Sequence, residues 1–201
     1  MKNIKFLILI LAIALINCER DDICADTTST TPRLIIEFYD ATSTDDLKTV
    51  PRLTVYGEGL FTDENGVTTE PIEPSDKIVL APNGISGTFN STNYLFNRNS
   101  NTIELPLKIE SENSTVTSRF ILERNTNLRL DENTSTDSNI DILEISYIPE
   151  FDYVSRACGY KSIFTNLIVT RETDNDNWIS IVEVLNLVVE NENTVHVRIE
   201  H

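Results

Sequence analysis

Three cysteines and two histidines bound the nucleophile and transition-metal chemistry open to this 201-residue chain. They are Cys18, Cys24 and Cys158, with His196 and His201. A Ser-His-Asp triad needs an imidazole base, and a catalytic thiol needs a basic partner. His196 is the candidate base. It stands in Thr194-Val195-His196-Val197-Arg198-Ile199, alternating with apolar residues, and that period of two assigns it to the solvent face of a strand. Transition metals lack ligands here, but hard oxygens are plentiful among 32 acids. Asp174 and Asp176, flanked by Asn175 and Asn177, are the calcium candidates. They lack the glycine and distal glutamate of an EF-hand loop, and the same residues read as a hairpin turn. Carboxylate pairs suited to glycoside hydrolysis exist, but nothing in their surroundings singles one out. Phe89, Tyr94 and Phe96 cluster among Asn and Thr, where rings stack on sugars or fill a core. These residues predict no enzyme and no cofactor.

Cys18 has a different setting. Met1-Lys2-Asn3-Ile4-Lys5 carries two positive charges and no acid, and residues 6–16 form an unbroken apolar run. Eleven residues match the core of a signal peptide and fall well short of the ~20 needed to span a bilayer. The run closes in Leu15-Ile16-Asn17-Cys18, which resembles a lipobox, with Asn17 where the pattern has Gly, Ala or Ser. The resemblance implies cleavage before Cys18 and acyl chains on its thiol, and two chains anchor a protein stably where one does not. Ala12-Ile13-Ala14 offers a competing, ordinary cleavage site. Glu19-Arg20-Asp21-Asp22 resembles the surface-export signal of Bacteroidota lipoproteins, and also reads as a solvated charged linker. The expected locale is the outer membrane, lipid-anchored, with the domain at the cell surface. The periplasmic face is the alternative.

The remaining elements follow from composition and pattern. Removal of 17 residues leaves 184, enough for one domain with a real core. Losing Lys2 and Lys5 takes the net charge from −16 to −18, which repels nucleic-acid phosphates and anionic lipid. If Cys18 is acylated, Cys24 and Cys158 remain. In an oxidising compartment such a pair forms a disulfide, with a catalytic thiol as the alternative.

Residues 18–32 read as an acylated tether, and residues 33–201 as one domain. Within it, residues 33–39, 52–56, 77–80, 94–96, 102–109, 117–123, 140–148, 162–170, 178–189 and 194–199 read as strands. Pro106 marks an edge strand, and Asn65-Gly66 a turn with positive φ at Gly66. Residues 125–139 read as a long loop or a domain boundary. Roughly ten short antiparallel strands predict an all-β single β-sandwich, immunoglobulin-like or related.

Asp21-Asp22-Ile23-Cys24, then Pro32-Arg33-Leu34-Ile35-Ile36-Glu37-Phe38-Tyr39-Asp40, and later Ala157-Cys158-Gly159-Tyr160 with Phe164 and Leu167, resemble a family of flavobacterial lipoproteins of unknown function. The resemblance supports pairing Cys24 with Cys158 and implies no activity or cofactor. The expected role is non-catalytic binding or scaffolding in the envelope, with the membrane as one partner and an envelope protein or glycan as another. Rival roles are a glycan-uptake accessory, a periplasm-facing assembly factor and a hydrolase.

Overall fold

The computed structural model describes Cys24 and residues 31–59, 65–67, 95–126 and 138–201. Among the described residues there are ten strands and no helix. They are β1 (Leu34–Asp40), β2 (Ser43–Leu47), β3 (Val50–Gly57), β4 (Leu95–Ser100), β5 (Thr102–Leu105), β6 (Val116–Arg124), β7 (Asn139–Ser155), β8 (Gly159–Arg171), β9 (Ile181–Val184) and β10 (Val197–Glu200).

Two five-stranded sheets result. One runs β2-β1-β10-β9, with β5 also paired to β1; the other runs β4-β3-β6-β7-β8. The period-two pattern gives each sheet one apolar face, and burying those faces against each other makes the sandwich. Leu34, Ile36, Phe38, Ile103, Leu105, Val197 and Ile199 supply one side of the core. Leu53, Val55, Phe120, Leu122, Leu143, Ile145, Tyr147, Phe164 and Leu167 supply the other.

Four details differ from the sequence reading. First, β1 and β10 pair in parallel, Ile36 opposite Val197 and Phe38 opposite Ile199. The intervening chain forms the whole second sheet, long enough for a parallel return. Second, residues 102–109 stop being strand at Leu105, because Pro106 cannot donate to the ladder; β5 does lie on the outside of β1. Third, residues 178–189 form strand only at Ile181–Val184, with Trp178 and Ile179 drawn into the core instead. Fourth, β7 and β8 are far longer than expected, 17 and 13 residues.

That long hairpin has two local devices. Pro149 sits just past the end of β6, whose first residue Val116 faces Tyr147, so its missing N–H breaks no ladder. In β8 the register shifts near Asn166, which has φ 54°. This bulge moves the buried face from Ser162 and Phe164 to Leu167 and Val169. Gly66 has φ 78°, the positive value its turn requires.

Candidate functional site

β7 carries the most informative face of the molecule. Asp141, Leu143, Ile145, Tyr147 and Pro149 all point into the sandwich and are buried. The same face then continues as Phe151 and Tyr153, now 45% and 57% exposed. Across the ladder Tyr153 faces Tyr160 on β8, which is 69% exposed. Their rings meet edge to face at 5.4 Å between centroids. Three aromatic rings thus stand exposed on an inward-type face that has outrun the described strands of the opposing sheet.

The turn beyond them is fixed. Residues 156–158 close the hairpin, with Gly159 at φ 71° supplying the left-handed position and the Ser155 hydroxyl accepting from the Cys158 N–H at 3.0 Å. Cys158 is disulfide-bonded to Cys24, with Cα atoms 4.8 Å apart. A second tie follows along the edge of β8, where the Ser162 N–H donates to the Thr31 hydroxyl at 2.9 Å. Further along, Phe164 and Val189 exchange backbone hydrogen bonds of 3.0 and 2.8 Å. The edge of β8 is therefore occupied by the tether and by the residues after β9. Charges at the tip are balanced: Lys161 lies 3.7 Å from Asp152, Glu112 accepts the Phe151 N–H at 3.3 Å, and Arg156 is exposed.

The opposite end of β7 is closed. The Asp141 side chain is fully buried. One oxygen accepts from the Asn177 side chain at 3.1 Å and the Trp178 N–H at 3.3 Å; the other accepts from the Ile179 N–H at 2.8 Å. Burial pushes its pKa up, and these hydrogen bonds oppose the rise. Together they hold the segment that crosses from β8 to β9. Trp178 completes the junction: its indole N–H donates to Leu122 O at 3.2 Å, and its ring lies 6.2 Å from Phe38 and 5.6 Å from His201.

Asp174 and Asp176 lie on this crossover, which joins the two sheets and is not the hairpin turn expected. Asp174 Oδ1 accepts the Asp176 N–H at 3.0 Å, and the Asn139 amide donates to Asp176 at its carbonyl and carboxylate. Among the described residues no cluster of three or more His, Cys, Asp or Glu side chains is placed to hold a metal ion.

His196 is not on a solvent face. It is fully buried, and its ring Nδ1 accepts the Ile35 N–H at 3.0 Å while its backbone N–H donates to Ile35 O at 3.0 Å. Burial pushes its pKa down, and the Asn191 backbone and Glu192 carboxylate partly offset this. A neutral ring with Nδ1 engaged by backbone is a lateral tie between β1 and the approach to β10. His196 precedes β10, and neither it nor its half-buried neighbour Val195 takes part in the strand alternation expected there. His201 is also shifted down by burial, and its carbonyl accepts from the Lys48 ammonium at 2.7 Å.

On the outer face of β6, Arg119 reaches Glu58, Glu144 and Glu172 at 2.5, 3.0 and 2.5 Å. At the start of β1, Arg33 holds Glu192 through two side-chain bonds of 2.7 Å and also pairs with Glu104. Cys18, Glu19, Arg20, Asp21, Asp22, Phe89 and Tyr94 lie outside the described residues, as do residues 77–80 and 127–137. Phe96 falls on β4, and only its backbone is described. Sequence reasoning missed Phe151, Tyr153 and Tyr160. Their one signal is an aromatic Phe-x-Tyr shortly before Cys158, beyond the expected strand end at residue 148.

An all-β sandwich with a disulfide-fastened hairpin is the class of protein these features define. Residues 84–201 match the model of a family of unknown function (DUF6452), and the chain belongs to that family. No curated protein and no solved structure matches it.

Proposed function

We propose that this chain is an exported lipoprotein, acylated at Cys18 and held on the outer membrane, whose sandwich serves a non-catalytic binding or scaffolding role at the cell surface. The observation that carries it is the Cys24–Cys158 disulfide. It occupies two of the three cysteines, which leaves Cys18 to the lipobox-like end of the leader. A disulfide also suits an oxidising compartment outside the cytoplasm. The flavobacterial lipoprotein resemblance supports the same reading. A triad reading loses support, since the Nδ1 of its candidate base, His196, is spent on the Ile35 backbone.

Two measurements test this. Intact mass of the membrane-extracted chain should show loss of residues 1–17 and the added mass of acyl chains. Protease shaving of intact cells should remove the domain while a periplasmic control survives. A mature chain without acyl mass overturns the anchor. A protected domain overturns the surface assignment made from Arg20-Asp21-Asp22 and moves the protein to the periplasmic face.

A further inference from the structure

The geometry points to the hairpin tip, Phe151, Tyr153 and Tyr160, as a membrane-docking surface that seats against the interface of the bilayer holding the protein. This rests on the lipoprotein reading above and adds to it an orientation and a lipid-contacting site.

The length of the tether is the first argument. Cys24 lies six residues after Cys18. At ~3.3–3.6 Å per residue the greatest reach is roughly 20 Å. Cys24 is covalently joined to Cys158 in the turn of the hairpin. The tip is thus confined to a thin shell above the acyl chains, whatever the rest of the domain does. Without the disulfide the first described tie to the domain is Thr31 on Ser162. That is 13 residues from Cys18, a reach of roughly 45 Å.

The chemistry of the confined surface is the second. Phe151, Tyr153 and Tyr160 continue a core-type face past the described strands of the opposing sheet and stay exposed. Tyrosine suits the interface because its ring is apolar and its hydroxyl seeks water or headgroup oxygens. Charge agrees. At the tip Arg156 and Lys161 offset Asp152 and Glu112, so this surface is close to neutral in a mature chain of −18. A near-neutral surface on an acidic protein meets lipid phosphates with little repulsion. Tethering makes docking an intramolecular step, so a small patch is enough to set the orientation.

Hydroxyl-radical footprinting of the full acylated chain in phosphatidylcholine vesicles tests the proposal, with the unacylated Cys18→Ser chain beside the same vesicles as reference. Tyr153 and Tyr160 should oxidise several-fold more slowly in the acylated chain, while Ile168, exposed on the other face of β8, oxidises equally in both. Equal rates for the tyrosines, with acyl mass present, overturn docking alone; ligands arriving from solvent, a glycan or a second copy, would then be the occupants to seek. A chain without acyl mass overturns the lipoprotein reading and this inference with it. In the acylated Cys24→Ser/Cys158→Ser chain the protection should fall; protection that persists overturns the role given to the tether.

Discussion

The two ends of β7 bear the same alternating face and meet opposite fates. At the Asp141 end a polar side chain is fully buried, because three donors from the crossover segment converge on it. At the Phe151 and Tyr153 end apolar rings are exposed, because no described strand faces them. Burial here follows what lies across the sandwich and only loosely the character of the residue. The closed end locks the two sheets together through Asp141 and Trp178. The open end is fastened by one covalent bond to the tether, which leaves its rings free to meet something else.

The largest test acts on that fastening. The Cys24–Cys158 bridge spans 134 residues. Removing such a bridge costs about 2–5 kcal/mol, the upper value expected for so long a loop in the chain-entropy model. Urea unfolding of the Cys24→Ser/Cys158→Ser chain should show the loss. Next is the closed end. Asp141→Ala strands the two buried backbone N–H groups of Trp178 and Ile179, and should cost about 3 kcal/mol. A midpoint unchanged in urea would mean that the crossover is not held by this carboxylate.

The pH dependence sharpens the contrast further. Burial lowers the pKa of His196 and His201 from the usual 6.5. The unfolded chain then binds protons more readily than the folded one. The stability these rings give is present above pH 6.5 and is lost as the pH falls toward their folded values. Burial raises Asp141, Glu104 and Glu123, which has the opposite sign: protonation in the folded state restores some stability at lower pH. Denaturant midpoints should therefore decline as the pH falls below about 6.5, with the raised carboxylates opposing the decline at lower pH. A steady rise on acidification would contradict the buried histidines. The smallest effect belongs to the open end. Replacing Phe151, Tyr153 or Tyr160 by serine should change stability by no more than about 0.5 kcal/mol. A cost equal to that of Asp141→Ala would erase the difference between the two ends.

Much of the sheet structure was legible along the chain. Leu34, Ile36 and Phe38, or Leu143, Ile145 and Tyr147, alternate cleanly with polar residues and are buried as the pattern implies. Where a bulge shifts the phase, as at Asn166, or a proline sits beside the end of a neighbouring strand, as at Pro149, the local period gave no notice. The aromatic tip was illegible for the same reason. Its residues look like core, and they are surface because no described strand of the facing sheet reaches them.

Alternating side chains, turn residues and spared cysteines determined, from the sequence by itself, an all-β chain with the means to form one disulfide. These are local properties, set by the two-residue repeat of a strand and by thiol count. Tertiary structure alone decided that β1 and β10 pair in parallel, that His196 is buried, that Asp141 closes one end, and that Phe151, Tyr153 and Tyr160 are left bare at the other. Each depends on which distant residues arrive on the far side, and a strand's own period carries no record of its neighbour's length.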